Sequence, residues 1–269
     1  MTPPDLAEVL ELNRRERRGS LLVYLMVDAA RRRTLPALVR GCREAGVTGI
    51  ELGFPFSDPI ADGPVLQAAA ARALGHGTKW GDLLEAIGVV SPVLPVAVMT
   101  YANPVLQHGI SRACKAIAEA GGSGLIVPDL ALEESASWRQ TAARAGVSLV
   151  QMGSPATPVR RVRTLAKSTS GFLYLVSRFG TTGRGIRAPE SELRPLIAAS
   201  HASRSGLPVL VGFGIRTAAD ILPVRRAGAD GAIVGSAVEE VLSRSTAPAR
   251  LRRFLRPLSR AMAAEGWGG

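Results

Sequence analysis

The chain is poor in the residues on which covalent and metal-dependent catalysis usually rely. Its 269 residues include only three lysines and three histidines. A Schiff-base aldolase needs a lysine inside its active site, but every lysine here lies in or beside a helix-like segment: Lys79, Lys115 and Lys167. The histidines are dispersed, with His76 and His201 predicted at helix ends and His108 in a loop. We therefore expect neither a metal site nor a bound cofactor.

Long hydrophobic runs and aromatic side chains are also scarce. No segment approaches the roughly 18 apolar residues of a membrane helix, and aromatic residues make up 4% of the chain. The segment Asp5–Arg18 is charged and amphipathic, and it lacks the apolar centre and cleavage site of a secretory signal. We expect a cytoplasmic protein with no membrane partner, in which Cys42 and Cys114 are free buried thiols.

Acidic residues are outnumbered, which raises the question of a nucleic-acid partner. The net charge is +11, with 33 Lys and Arg against 22 Asp and Glu. The arginines are scattered over predicted outer helices, and no motif of interleaved basic and aromatic residues accompanies them. We expect no nucleic-acid partner. A positive field of this kind is equally suited to an anionic substrate.

Eight short apolar segments alternate with helix-like segments along the whole chain. This alternation predicts a parallel sheet with right-handed crossovers, and eight units in a single domain over residues 1–269 predict a TIM (β/α)8 barrel. The alternative is a doubly wound open sheet. The predicted strands are Leu21–Val27, Gly49–Leu52, Val96–Thr100, Gly124–Val127, Ser148–Met152, Phe172–Ser177, Pro208–Gly212 and Gly231–Val234.

The helix-like segments between the strands follow the apolar periodicity of outer helices. An additional amphipathic helix near the N-terminus is expected to cover the bottom of the barrel. The other predicted helices are Leu35–Ala45, Pro64–Leu74, Gly81–Val90, Ile110–Ala120, Leu132–Ala145, Pro158–Ser168, Glu190–Ser200, Thr217–Ala227 and Ala247–Ala263.

Three carboxylates follow the second predicted strand, where a barrel places its active site. Glu51, Asp58 and Asp62 lie among prolines and glycines, which favour a loop of one shape. A carboxylate at the end of a buried strand is costly to desolvate unless it has a partner or a task. Because Ile50, Leu52 and Phe54 near Glu51 are apolar, we expect a raised pKa and acid–base catalysis by this residue.

Glycines after the last strands indicate a phosphate site. Gly212–Ile215 follows the seventh predicted strand, and Gly235 with Ser236 follows the eighth and begins a helix. Glycine permits close approach of backbone N–H groups to an anion, and the helix dipole favours negative charge there. Gly180–Gly183, after the sixth strand, is expected to close over the same anion.

These residues resemble the tryptophan synthase α subunit family. The run Glu51–Pro64 is highly specific for it, and the similarity continues through Met99–Pro104, Glu133–Ser135, Tyr174–Ser177, Thr181–Gly183, Gly212–Ile215 and Gly235–Ala237. The resemblance implies a TIM-barrel lyase that splits indole-3-glycerol phosphate into indole and glyceraldehyde 3-phosphate by retro-aldol chemistry. It also implies a pyridoxal-phosphate-dependent β subunit as partner, in an α2β2 heterotetramer.

The resemblance also implies a role for each matching residue. Glu51 corresponds to the catalytic glutamate, Asp62 to the aspartate that binds the indole N–H, and Tyr174 to an active-site tyrosine. The implied substrate-binding residues are Phe56, Tyr101, Asp129 and Thr182. The implied phosphate-binding residues are Gly183, Phe213, Gly214, Gly235 and Ser236. Asp58 and Pro59 fall in the loop that faces the β subunit.

Three loops depart from the family pattern. Met26–Ala30 and Arg31–Arg33 replace a Gly-Asp-Pro turn after the first strand, Met152–Ala156 differs after the fifth, and the loop after the sixth is unusually basic. These changes concern the rim of the site and the partner face. Three alternatives therefore stay open: a stand-alone lyase of a secondary pathway, a non-catalytic ligand-binding activator of a β subunit, and a different phosphorylated aromatic substrate.

Overall fold

Parallel strands form a closed barrel in this protein. The structure is a computed structural model that describes residues 5–177, 189–204, 206–212 and 214–263. Within those residues, eight strands pair in chain order and the eighth pairs with the first. They are β1 Ser20–Met26, β2 Gly49–Gly53, β3 Val96–Met99, β4 Gly124–Ile126, β5 Ser148–Gly153, β6 Leu173–Val176, β7 Val209–Gly212 and β8 Gly231–Val234. The predicted barrel is confirmed, and the open sheet is excluded.

Helices surround this barrel. In the described residues they are α1 Leu6–Arg15, α2 Leu35–Glu44, α3 Pro64–Gly75, α4 Trp80–Val90, α5 Ala102–His108, α6 Ile110–Glu119, α7 Ser135–Arg144, α8 Val159–Ser168, α9 Glu190–Ser203, α10 Ala218–Arg226, α11 Ser236–Arg244 and α12 Pro248–Ala263. Two short 3₁₀ helices cover Ala29–Arg31 and Leu132–Glu134, so the helix predicted from residue 132 begins as a 3₁₀ turn.

Helix α5 was not predicted, and the placement of His108 in a loop was wrong. Pro104 is the third residue of α5, where its missing N–H removes no intrahelical hydrogen bond. His108 is the last residue of this helix, and its ring stacks on Trp80 with centroids 4.4 Å apart. Pro104 is therefore compatible with the first turn of a helix here.

The strands separate an inner from an outer core by the alternation of their side chains. In β1, Leu22 and Tyr24 belong to the cluster inside the barrel, whereas Val23 packs in the cluster shared with the surrounding helices. Helix α1 contributes Leu6 and Leu10 to the inner cluster. It covers the end of the barrel where the strands begin, as predicted.

Helix α1 is held at that end by a specific contact. The Leu6 backbone N–H donates to Ser123 Oγ at 3.0 Å, and Ser123 directly precedes β4. Elsewhere in the fold, Cys42 and Cys114 are free and buried, as expected. None of the helices in the described ranges has the length and apolarity to cross a bilayer.

Candidate active site

Glu51 lies on β2 with its side chain in the interior of the barrel. It is in register with Tyr24 of β1 and Ala97 of β3, which both belong to the inner cluster. The residue is 1% exposed, and Oε2 has no hydrogen-bond partner among the described residues. Burial, followed by the negative charge of Asp62, raises the pKa of Glu51 to about 8.

The raised pKa of Glu51 was expected, but its origin differs from the one inferred from sequence. The sequence neighbours Ile50 and Leu52 do not surround the carboxyl group. Both pack in the outer cluster, because neighbouring residues of a strand point to opposite faces. Instead, the barrel interior desolvates the carboxylate, and the negative charge of Asp62 repels it.

Asp62 approaches the site from the loop that connects β2 to α3. It is 5% exposed, and its Oδ1 has no hydrogen-bond partner in the described part of the chain. The Tyr101 hydroxyl accepts from the Ala61 N–H at 3.0 Å and donates to the Asp62 carboxylate. Burial raises the pKa of Asp62 to about 6 even though the Tyr101 hydrogen bond lowers it.

The two carboxyl groups therefore differ in charge near neutral pH. Between pKa values of about 6 for Asp62 and about 8 for Glu51, Asp62 is ionised and Glu51 holds its proton. Two carboxyl groups whose environments separate their pKa values can divide the roles of acid and charge stabiliser. The site can donate a proton from one side and stabilise a positive charge on the other.

Two tyrosines complete the inner wall. Tyr24 and Tyr174 are both buried in the inner cluster. A Cβ atom at Gly53 would lie 1.9 Å from Tyr24 Oη, and one at Gly212 would lie 2.4 Å from Tyr174 Oη. Glycine at both positions therefore makes room for the phenol rings.

Tyr24 was not among the residues identified from sequence. The Tyr24 hydroxyl donates to Met26 Sδ at 3.7 Å, and its ring contributes to the same wall as Glu51. The available signal was weak: Tyr24 is the one aromatic side chain of β1, a strand that is otherwise apolar after Ser20. Because every residue of β1 is buried, burial does not distinguish its two faces, and only the packing in the closed barrel shows that Tyr24 faces inward.

One cavity brings the proton donor and the predicted anion site together. The cavity is small, with a volume of about 20 Å³. Its walls are formed by Tyr24, Glu51, Leu66, Met99, Tyr174, Gly214, Ile233, Gly235 and Ser236. Of the residues predicted for the site, this cavity unites Glu51, Tyr174, Gly214, Gly235 and Ser236.

The anion side of the cavity is built from backbone. Gly214 has φ +80°, which a residue with a side chain rarely adopts. Gly235 is the N-cap of α11, and Ser236 is its first residue and is buried. The N–H groups of a first helical turn have no partner within the helix, so they can bind an anion. The predicted residues Thr182, Gly183 and Phe213, together with the rest of Gly180–Gly183, lie outside the described residues.

The remaining predicted residues in the described ranges do not line this cavity: Phe56, Asp62, Tyr101 and Asp129. The Phe56 ring packs against Tyr101, with centroids 5.4 Å apart. Asp129 is exposed, and its Oδ1 accepts from the Ala102 N–H at the start of α5 at 2.8 Å. Asp129 thus fixes the helix that follows Tyr101, and its role toward a substrate stays a prediction. No group of three or more candidate metal-ligating side chains occurs within the described ranges.

Burial of Glu51 has a consequence for stability that a single substitution can measure. Because its pKa is raised from 4.5 to about 8, the folded state binds more protons than the unfolded state between those values. Stability from this group is therefore lost as the pH rises through that window. We expect Glu51→Gln to gain about 2 kcal/mol relative to the wild type between pH 6 and pH 8. Urea denaturation at the two pH values measures this difference.

The matched control for that experiment is Glu134→Gln, at an exposed position. The difference in unfolding free energy between Glu134→Gln and the wild type should be the same at pH 6 and at pH 8. A Glu51→Gln difference that stays constant from pH 6 to pH 8 would show that the Glu51 carboxyl is not protonated in this range.

Comparison with known proteins places the whole barrel in one family. Residues 10–259 match the model of the tryptophan synthase alpha chain family. The chain is 44% identical to the tryptophan synthase alpha chain of Synechococcus sp. (strain CC9902), over 87% of each chain. It is 40% identical to that of Chloroflexus aurantiacus, over 95% of this chain and 98% of the other.

Solved structures show the same relationship. The chain matches the structure of Mycobacterium tuberculosis tryptophan synthase with a TM-score of 0.85 and 31% identity, over 98% of this chain and all of the other. It matches a chain of the tryptophan synthase α2β2 complex of Pyrococcus furiosus with a TM-score of 0.81 and 30% identity, over 90% and 98% of the two chains. The protein belongs to the tryptophan synthase alpha chain family, a family of lyases.

Proposed function

We propose that this chain cleaves indole-3-glycerol phosphate to indole and glyceraldehyde 3-phosphate as the α subunit of a tryptophan synthase. One observation carries the proposal. A buried carboxyl group that keeps its proton at neutral pH, Glu51, shares a cavity with the N-terminus of α11. Acid catalysis and phosphate binding are the two capacities that this substrate requires.

The first chemical step is protonation of the indole ring. Glu51 donates its proton to C3, which converts the ring into an indolenine cation with its positive charge shared by N1. The ionised Asp62 accepts a hydrogen bond from N1–H and stabilises that charge. Both roles follow from the pKa values of about 8 and about 6.

The second step breaks the carbon–carbon bond. The Glu51 carboxylate formed in the first step takes the proton of the C3′ hydroxyl, and the C3′–O bond becomes the carbonyl of the aldehyde. The electrons of the C3–C3′ bond return to the ring, so indole leaves as a neutral molecule. Glu51 ends protonated, and the reaction requires no net proton from solvent.

Phosphate binding aligns the substrate with Glu51. Backbone N–H groups at Gly235 and Ser236, with the dipole of α11, are suited to hold the phosphate. Binding energy from this remote group can then fix C3 and C3′ against Glu51. Tyr24 and Tyr174 line the same cavity as these groups.

The proposed partner is a tryptophan synthase β subunit, in an α2β2 assembly. The loop that carries Asp58 and Pro59 continues to Ile60, whose side chain is 72% exposed, and then to Asp62. An isoleucine this exposed is suited to burial against a partner. Contact at Ile60 would act two residues from the catalytic aspartate, so the same loop can couple assembly to catalysis.

The proposal is tested by measuring indole released from indole-3-glycerol phosphate, with the chain alone and with a tryptophan synthase β subunit added. We expect slow release alone and at least about tenfold stimulation by the β subunit. Ile60→Asp places a charge where an apolar contact is expected and should lower the affinity for the β subunit at least about tenfold. The concentration dependence of the stimulation measures this affinity.

Leu222→Asp is the matched control, because Leu222 is also exposed but lies on α10, beside the arginines of the barrel bottom. It should leave the stimulation unchanged. Rapid release by the isolated chain with no response to the β subunit would favour the stand-alone lyase. Ligand binding without any release of indole would favour the non-catalytic activator. Either result would overturn the proposal.

A further inference from the structure

Glu239 is a fully buried acidic residue that the proposed reaction does not use. It lies in the first turn of α11, three residues after Ser236, and its exposed fraction is 0%. Its Oε1 accepts from the Met26 backbone N–H at 2.9 Å, at the end of β1. A negative charge at this point is close to the helix N-terminus that we assign to phosphate, since each helical residue advances only about 1.5 Å.

Arg31 neutralises this charge. Its Nη1 donates to both Glu239 oxygens, at 2.8 and 3.1 Å, and its side chain is 13% exposed. Arg31 belongs to the loop after β1, where the sequence departs from the family pattern. The pair therefore connects the unusual loop to the helix of the anion site.

The other charged groups around Arg31 have partners of their own. Asp28 lies 4.0 Å from Arg31 Nε, but its Oδ1 accepts from the Ala30 N–H at 2.9 Å and lies 2.9 Å from His76 Nδ1. Arg31 is consequently the cation that directly contacts Glu239 among the described residues. Loss of Arg31 would leave a buried, uncompensated negative charge behind the anion site.

We propose that Arg31 sets the phosphate affinity of this active site by neutralising Glu239, without touching the substrate. This inference rests on the proposed function, since it takes the α11 N-terminus as the phosphate site. An anion at a helix N-terminus is favoured by the local positive potential. The charge of Glu239 opposes that potential, and the charge of Arg31 restores it.

The proposal predicts effects of opposite sign for the two partners. Arg31→Met leaves Glu239 uncompensated, so we expect the Kd for glycerol 3-phosphate to rise about five- to tenfold. Glu239→Gln retains an acceptor for the Met26 N–H and removes the carboxylate closest to Arg31, so the Kd should fall about two- to fivefold. The double variant restores neutrality and should lie within about twofold of the wild type. Isothermal titration calorimetry at one pH and ionic strength measures all three.

Opposite signs distinguish this role from a structural one. A pair that only stabilises the loop would weaken binding in both single variants, and that result would overturn the inference. Arg32→Met is the matched control, because Arg32 is the adjacent residue and forms an exposed ion pair with Glu85. It removes the same charge from the same loop and should change Kd less than about twofold.

Two further results complete the test. If Arg31→Met does not fold, Arg31→Lys retains the positive charge and should keep the Kd within about threefold, and the sign for Glu239→Gln then decides the matter. If the wild type releases indole and Arg31→Met binds glycerol 3-phosphate as tightly as the wild type, this inference alone would be overturned. Wild-type protein that binds no glycerol 3-phosphate would overturn the proposed phosphate site, and this inference with it.

Discussion

Glu51→Gln is expected to lower the rate of indole release by about 10³-fold or more, with little change in affinity for the substrate. Glutamine occupies nearly the same volume but has no proton to give to C3 and cannot take the proton of the C3′ hydroxyl. A single acid–base residue typically contributes about 10²–10⁴-fold, and Glu51 would serve in both steps. Single-turnover kinetics with saturating indole-3-glycerol phosphate measure the chemical step directly.

A matched control makes the same Glu-to-Gln change at an exposed position. Glu134→Gln removes an exposed carboxylate and should keep the wild-type rate. Calorimetry with glycerol 3-phosphate should show that Glu51→Gln still binds the phosphate group, since Gly235 and Ser236 are unchanged. A Glu51→Gln protein with nearly normal turnover would remove the proposed mechanism.

Asp62→Asn is expected to reduce the rate by about 10²-fold and to change the shape of the pH profile. In the wild type, the rate should fall below about pH 6, where Asp62 gains a proton, and above about pH 8, where Glu51 loses one. Asparagine does not titrate, so the acidic limb should disappear. Because the charge of Asp62 raises the pKa of Glu51, the alkaline limb should move to a lower pH.

The movement of the alkaline limb is the critical result, since a general loss of activity would not produce it. Rates measured from about pH 5 to pH 10 for both proteins give the two limbs. Asp58→Asn removes an exposed carboxylate from the same loop and should leave both limbs in place when the chain is assayed alone. An alkaline limb at the wild-type pH in Asp62→Asn would show that the charge of Asp62 does not raise the pKa of Glu51.

Much of the fold and part of the site could be predicted from sequence because the relevant signals are local. Strands of Val, Ile and Leu alternate with helices, and the ends of each strand are visible in the apolar pattern. Glu51 and Asp62 are conspicuous because carboxylates rarely follow a buried strand. The glycines before α11 belong to a recognisable strand–turn–helix sequence.

What could not be predicted depends on contacts between distant parts of the chain. Arg31 and Glu239 are 208 positions apart, and each alone has the sequence context of a surface residue. The hydrogen bond from the Ala102 N–H to Asp129 Oδ1 joins residues 27 positions apart, and the role of Asp129 toward a substrate stays a prediction. The inward direction of Tyr24 likewise depends on the register of β1 in the closed sheet.

The seal formed by α1 determines how a product can depart. In the described residues, Leu6 and Leu10 fill the end of the barrel where the strands begin, so the interior is closed on that side. Under the proposed function, indole released beside Glu51 would leave toward the carboxyl ends of the strands, the side on which the loop between β2 and α3 lies. A β subunit bound at the proposed Ile60 contact would lie on the same side of the barrel as the departing product.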